Sequence, residues 1–563
     1  MSQPSPTPAL GCGSAVHHAL AIPEVLKLIF GFGTRASNVS YVLVCRSWAG
    51  PALDNVWRKV DDIYYLLQLL APMQTGGGFG TSQLVSFYVL CSRMTQTSKT
   101  QVCSQEFSRS LTLKDWTRFT PYARRVHTLK YRTDLNEKSW RIGDKVFFEV
   151  ARTRPTLEVL PNLRSLWWNA NPQDANLFMH DKFTEFVFQF CSEGLSSLRT
   201  DIVRRMPSLR SLGWTNPPDK GRYSDQDILQ LISGLQMLRE VTPPMDDLGG
   251  KFLKELSSLL PELEAIRFNN NLPRTPLYSD SCLECKLQEG AFPKLYDLCL
   301  KCDLDDIRVY LTGGALLPRL RNLSVEGRGT PELPLTVQQF FTDVTRCYPT
   351  LEMVSMNVMV SAEEEDLDID EFHSLSREHL NPIFSLKQLI HLELRHNRPL
   401  QISEDDLKEF GSALPALEKL VLNPEPLHLT RPEITLHSLL IVAQHFPKLI
   451  YLGIYLDVQD ATIPAPKQLP PKIQLSPSLV TLHMGVSPIA SHSEVPVAMF
   501  LSHILSGNES VKIKSGISWN SDVYDSEESG DYQAAVSERC SKWDRVADSL
   551  SLLLQLRKEE GMD

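Results

Sequence analysis

One phrase recurs along this chain and restricts its fold more than anything in its composition. It is Pro-x-Leu-x-x-Leu, usually followed by x-apolar. It reads PNLRSLWW at Pro161, PSLRSLGW at Pro207, PELEAIRF at Pro261 and PKLYDLCL at Pro293. It continues as PRLRNLSV at Pro318, PTLEMVSM at Pro349, PALEKLVL at Pro415, PKLIYLGI at Pro447 and PSLVTLHM at Pro477. LKQLIHLEL at Leu386 and LQMLREV at Leu235 lack the proline, and ARRVHTLKY at Ala123 reads as an early copy. The spacing is irregular, from 25 residues (Pro293 to Pro318) to 46 (Pro161 to Pro207). A unit repeated this often cannot bury its apolar side alone and must stack on its neighbours.

Helical patterns fill the gaps between phrases. In SEDDLKEFGSALP, Ser403 and Asp406 form a capping pair, and Leu407, Phe410 and Leu414 recur at helical spacing. TLHSLLIVAQHFP and TVQQFFTDVTRCYP read alike. Each proline stands where its helix must end. After it the period changes from 3.6 to 2, as in Leu420 and Leu422 of a short strand. Helix, stop and short strand in repetition resemble the long, helix-rich leucine-rich repeats. The resemblance implies an α/β solenoid, a horseshoe with a parallel sheet on its concave face. At about 4.8 Å per strand, ten strands make an arc of roughly 50 Å.

Strand alternation then selects the outward residues. These are Trp167, Arg267, Asn269, Asp297, Lys301, Glu326, Glu393, Arg395, Tyr451, Tyr455 and His483. They form the expected substrate-binding face, against the plainer reading of a solvated sheet surface. Trp168 and Trp214 fall on the inward positions and read as core.

Near the N-terminus a different segment stands apart, ALAIPEVLKLIFGFGTRASNVSYVLVCRSWAGPALDNVWRKV. Ile22-Pro23-Glu24 opens a helix with Val25, Leu26, Ile29 and Phe30 on its apolar stripe. A second helix is expected to hold Val42, Leu43, Cys45 and Trp48, and a third Leu53, Val56 and Trp57. Three helices this short carry more apolar surface than they can cover, which predicts an obligate partner.

The phrases Ile22-Pro23-Glu24-Val25-Leu26-Lys27-Leu28-Ile29-Phe30, Val44-Cys45-Arg46-Ser47-Trp48 and Leu53-Asp54-Asn55-Val56-Trp57 resemble an F-box. Isoleucine replaces the usual leucine before Pro23, and the loop after Phe30 departs through Gly31 and Gly33. The order F-box then leucine-rich repeats, with the phrase DWTRFTPYARRVHTLKY at Asp115, is similar to F-box proteins of fungi. The resemblance implies docking on the Skp-type adaptor of a cullin-RING ubiquitin ligase. Carried over by position, Pro23, Leu26, Ile29, Phe30, Val44, Cys45 and Trp48 would meet the adaptor, with Trp57 supporting the fold from inside. The plainer alternative is a cap that shields the first repeat.

Composition excludes other classes. The charged fraction is 22% and the net charge −10, with no basic block, so nucleic acid has no support as a partner. The apolar pieces between Ile63 and Ser92 are interrupted by Pro72 and the glycines 76–80 and are too short for a bilayer. No signal-peptide pattern opens the chain, so a cytoplasmic or nuclear protein with reduced thiols is expected. Glycines 76–80 lack the Lys-Ser/Thr of a phosphate loop, and no hydrolase elbow or zinc-protease motif occurs. Cys282, Cys285, Cys299 and Cys302 have zinc-like spacing. Cys299 and Cys302, however, fall on opposite faces of one strand, so no metal and no cofactor is expected.

The resulting plan is a disordered tail at 1–19, an F-box at 20–62 and a helical linker at 63–120. A leucine-rich repeat domain follows at 121–490. A C-terminal cap at 491–563 includes a partly disordered loop and a helix with Trp543, Val546, Leu550 and Leu553. The acidic run 363–371 reads as a solvated loop. The expected function is non-catalytic: a substrate-recognition subunit of a Skp-cullin-F-box ligase that holds an unidentified protein near the ubiquitin-charged enzyme. The alternative is a leucine-rich repeat scaffold with no ligase role.

Overall fold

The computed structural model describes residues 20, 22–75, 104–132, 141–170, 172–189, 195–215, 225–244, 250–267, 287–314, 316–327, 332–359, 373–458, 463–464, 473–508, 510–517 and 530–560. The tail 1–19, the glycines 76–80, Asn269, Cys282, Cys285 and the acidic run 363–371 lie outside them. The chain divides into two compact units, 1–238 and 239–563.

The first unit opens with helices α1 (Pro23–Gly31), α2 (Arg35–Val42) and α3 (Arg46–Arg58). Strand β1 (Lys59–Val60) follows α3 directly, and α4 (Ile63–Leu67), β2 (Met73–Thr75), β3 (Gln105–Phe107) and α5 (Leu113–Ala123) come next. Then β4 (Thr128–Arg132), α6 (Asp144–Thr153), β5 (Ser165–Asn169), α7 (Pro172–Ala175) and β6 (Glu185–Gln189) alternate. Helix α8 (Leu195–Arg205), β7 (Ser211–Thr215) and α9 (Asp225–Ser233) complete the unit. Strands β1, β4, β5, β6 and β7 pair in that order, all parallel.

The second unit continues the alternation with β8 (Glu240–Thr242), α10 (Gly250–Leu259), β9 (Ala265–Ile266), β10 (Asp297–Lys301), α11 (Leu304–Thr312) and β11 (Asn322–Glu326). Helix α12 (Pro334–Cys347), β12 (Met353–Asn357), α13 (Arg377–Leu380), β13 (His391–Arg395), α14 (Glu404–Ala413) and β14 (Lys419–Leu422) come after them. Helix α15 (Ser438–His445), β15 (Tyr451–Ile454), β16 (Thr481–Gly485), α16 (Glu494–Ile504), β17 (Lys512–Ser515) and α17 (Gly530–Glu560) end it. Strands β8 to β17 are parallel neighbours in chain order. The fold is an α/β solenoid of leucine-rich repeats.

The period of two after each proline explains the core. Leu298, Leu323, Val354, Leu392, Leu420, Leu452 and Leu482 lie in one register across β10 to β16, all buried. In the first unit the matching rows hold larger rings. Tyr131, Trp168, Phe188 and Trp214 stand side by side and at most 2% exposed. Each fully buried side chain of this size stabilises the stack by about 1.5–3 kcal/mol. The expected capping pair is present: Ser403 Oγ accepts the Asp406 N–H at 3.3 Å, while the Asp406 carboxylate accepts the Ser403 N–H at 2.7 Å.

Two boundaries and one strand differ from expectation. The sheet starts at Lys59, inside the segment expected to be F-box alone. It ends with β17, inside the segment expected to be loop, so strands extend past 121–490 at both ends. Strand β6 carries no Pro-x-Leu phrase; it pairs through EFVFQ, where Phe186 and Phe188 supply the inward positions. Helix α17 packs on α16 and β17, with Trp543, Val546 and Leu550 buried and Leu553 half-buried. Trp543 Nε1 donates to the Ser487 carbonyl at 2.9 Å. Among the described residues no helix is long and apolar enough to cross a membrane.

Candidate docking surfaces

The three-helix module in the first unit builds its core from few residues. Leu26, Phe30 and Ala52 are buried, and Leu20, Tyr41, Val42 and Trp48 pack against them. Phe30 stacks on Tyr41 with centroids 4.8 Å apart and meets Trp48 edge-on at 5.2 Å. The turn between α1 and α2 is tied by a side chain that pattern reading passes over. Asn38 is 3% exposed, and its Nδ2 donates to the carbonyls of Phe30 (3.0 Å), Gly33 (3.3 Å) and Thr34 (3.0 Å). Thr34 caps α2 by accepting the Ser37 N–H.

This core corrects two expectations. Leu26 (0%) and Phe30 (2% exposed) are sealed inside the module and cannot be docking residues. Trp48 is half-buried in the same aromatic group. The helix boundaries also shift: α2 stops at Val42, Cys45 is extended, and Trp48 belongs to α3. Pro23, Ile29, Val44 and Cys45 are exposed as expected of a face. Leu28 (70%), Phe32 (94%), Val39 (50%) and Leu43 (83%) are exposed as well, although the sequence reading does not select them as docking residues. Part of their signal is present in the sequence: Leu28 is apolar and out of phase with the Leu26–Phe30 stripe of α1, whereas Phe32, Val39 and Leu43 lie outside that helix. The Cys45 thiol lies 3.1 Å from Ser47 Oγ; that hydrogen bond, aided by the Trp48 N–H, draws its pKa below the usual value. Trp57 is half-buried and packs on Tyr122 at 5.2 Å.

The second surface is the helix-free face of the sheet. In the first unit Trp167 lies there, its Nε1 donating to Glu185 at 2.9 Å and Lys130 Nζ 4.1 Å from its ring. In the second unit Arg267 pairs with Asp297 (2.7 Å) and Glu240 (3.0 Å). Glu326 accepts from Asn357 Nδ2 at 2.7 Å, and Lys301 is half-exposed. Glu393 sits at the centre of a polar group, accepting from Arg395 Nε (2.8 Å) and Lys419 Nζ (2.8 Å), with His391 at 3.6 Å. Burial pushes its carboxyl up, but the neighbouring His391 ring and the Arg395 and Lys419 charges outweigh that and hold it well below the carboxylate range. Burial pushes the Tyr451 hydroxyl up to about 12.

Three residues expected on this face are closed off. Asp297, paired with Arg267, is 7% exposed, His483 0% and Tyr455 3%. After β14 the chain turns back at Asn423, whose φ is +46°, and lays Pro424-Glu425 across β15 and β16. Glu425 reaches His483 Nε2 at 3.1 Å and Arg395 at 3.3 Å, and the Tyr451 hydroxyl is 3.0 Å from His483 Nδ1. Gly485 makes the approach possible: at φ +51°, a Cβ there would lie 1.9 Å from the Pro424 carbonyl oxygen. Val536 of α17 packs on Tyr455 and Val486, and Arg539 donates to the Tyr455 hydroxyl at 3.0 Å. Lys419, in register with Tyr451, carries the same outward phase although the sequence reading does not select it, and Glu425, past the end of β14, has no repeat-phase signal. Cys299 is half-exposed on the open face, while Cys302 is buried on the other.

No family model matches the chain, and no curated protein matches it. Among solved structures it is similar to the leucine-rich repeat-containing protein LegL7 from Legionella pneumophila, with 12% identity over 45% of this chain and 87% of that one and a TM-score of 0.25. It is similar to a chain of the Rad7–Elc1 complex in yeast, with 13% identity, 84% and 98% covered, and a TM-score of 0.34. A chain of the TLR13–ssRNA13 complex gives 15% identity, 73% and 62% covered, and a TM-score of 0.23. Likenesses at TM-scores this low say nothing about which partner the chain binds.

Proposed function

We propose that the chain is the substrate-recognition subunit of a Skp-cullin-F-box ubiquitin ligase. In this reading α1 to α3 dock on the Skp-type adaptor, the repeats hold a target protein, and the chain performs no chemistry itself. One observation carries the proposal. Ile22, Leu28, Ile29, Phe32, Val39, Leu43 and Val44 are each at least 46% exposed within a single three-helix module. Surface apolar residues scattered singly are ordinary, but this many in one short segment call for a partner. The F-box phrases that these residues interleave name the partner class. The partly open stretch of sheet, from Arg267 to Arg395, is then the target-binding region, and the Asn423–Leu429 segment bounds it.

The test is co-expression with a Skp-type adaptor followed by size exclusion. Wild type is compared with Phe32→Asp combined with Leu43→Asp, both on the surface, so that folding is retained. A one-to-one complex lost in the variant supports the reading. Absence of a complex with wild type leaves a leucine-rich repeat scaffold outside any ligase.

A further inference from the structure

Beside the three-helix module lies a cleft of about 550 Å³, lined by Asp54, Thr117, Thr120, Pro121, Arg124 and Arg125. Its floor is fixed. Asp54 of α3 pairs with Lys27 of α1 at 2.8 Å and with Arg125 Nε at 2.9 Å. Trp57 packs on Tyr122, and the His127 N–H donates to the Arg58 carbonyl at 2.9 Å. Because β1 follows α3 directly and pairs with β4, no hinge separates the module from the first strands. The cleft is therefore a standing feature of the unit rather than a gap between loose parts.

Its charge is unlike that of the whole chain. Residues 22–62 and 113–125 together carry nine lysines and arginines against five carboxylates, in a chain of net charge −10. The one carboxylate lining the cleft, Asp54, is already engaged by Lys27 and Arg125. Lys114, Arg118 and Arg124 are exposed and make no ion pair among the described residues. They stand along the solvent side of α5 and just past its end. Lys27, at the cleft, precedes the exposed Leu28 and Ile29, so the basic strip adjoins the apolar face. An apolar patch bordered by charge of one sign is the usual layout of an interface whose partner carries the opposite sign at its rim.

We infer that this cleft docks an acidic segment of the adaptor that binds α1 to α3, as a second contact beside the apolar one. The inference rests on the adaptor reading above. Arg124, which lines the cleft, and Arg118, exposed nearby on α5, supply the charge, and the Asp54–Arg125 pair positions the floor without contributing net charge. Rim charges of this kind act on the association rate and on salt dependence.

The experiment is a titration of the full chain with a purified Skp-type adaptor at about 50 mM and about 500 mM salt, a range that shortens screening several-fold. The variants are Arg118→Glu with Arg124→Glu, and separately Lys114→Glu, each checked for an unchanged melting curve. The expected result is wild-type binding that weakens with salt, with the double variant roughly tenfold weaker at low salt and nearly equal to wild type at high salt. Lys114→Glu should give a smaller loss in the same direction. Binding that is the same in wild type and variants at low salt overturns the cleft and leaves the apolar docking reading intact. Absence of wild-type binding at either salt overturns both. Loss in the variants that is equal at both salts shows a packing effect and also overturns the electrostatic assignment.

Discussion

Truncating two side chains of the first helix and its end should have opposite consequences. Leu26 is 0% exposed in the module core, and Phe32 is 94% exposed just past the end of α1. Leu26→Ala removes a fully buried side chain and leaves a cavity, a change that costs about 2–5 kcal/mol. Among the described residues its core cluster holds Leu26, Phe30 and Ala52 as buried hydrophobics, so little remains to compensate. The module should lose its protection against hydrogen exchange, and adaptor binding should vanish as a result. Phe32→Ala removes almost nothing that the free chain buries, so stability should stay within about 0.5 kcal/mol of wild type. If the ring is covered on docking, its transfer supplies about 1.5–3 kcal/mol. At about 1.4 kcal/mol per factor of ten, the variant should bind roughly 10- to 100-fold more weakly. The assay pairs calorimetric titration against the adaptor with hydrogen exchange of residues 22–58. Wild-type affinity in Phe32→Ala, or wild-type exchange protection in Leu26→Ala, would refute the separation of core from face.

The second unit yields three further expected outcomes. Burial raises the Glu332 carboxyl to about 7, helped by Asp303, Asp305 and Asp306, while its acceptance of the Leu304 N–H at 2.8 Å works against the shift. A folded-state pKa above the unfolded value means that stability falls as pH rises from about 4.3 through 7, at up to about 1.4 kcal/mol per unit. Glu332→Gln keeps an acceptor and should flatten that fall in melting curves taken between pH 5 and pH 8; an unchanged slope would contradict the shift. Glu393 is shifted the other way, so its contribution is present above the unfolded pKa of about 4.3 and is lost as pH drops below it. Glu393→Gln should lower stability at pH 7 by about 1–3 kcal/mol, because it leaves Arg395 and Lys419 without their shared anion, and the gap to wild type should narrow in acid. Gly485→Ala should destabilise the last repeats by about 2 kcal/mol or more, since the added methyl meets the Pro424 carbonyl at a positive φ. Hydrogen exchange at His483 and Tyr455 should rise in that variant and not in Gly507→Ala, where φ is also positive but a methyl meets nothing within 4 Å.

What pattern reading can and cannot reach has a physical basis in particular residues. Inward strand positions such as Leu420 and Leu452 are dictated by period two, because a one-residue slip would turn the whole row to solvent. The outward set obeys the same period, yet period says only which way a side chain points and nothing of what later covers it. His483 points as expected and is buried by a segment whose path depends on a left-handed Asn423 and on the missing Cβ of Gly485, while Tyr455, one residue past β15, is covered by Val536 and Arg539 of α17. The three-helix module shows the converse. Its helical stripe through Leu26 and Phe30 is legible in the sequence, and the stripe invites the reading that these residues face the partner. In a module with so small a core, the stripe is consumed by folding. The side chains left for a partner are then Ile29 at the edge of the stripe and apolar residues outside it, among them Leu28, Phe32, Val39 and Leu43. For a short helical module expected to bind an obligate partner, the informative residues are therefore those that spoil its amphipathic pattern, and substitutions meant to test docking belong there.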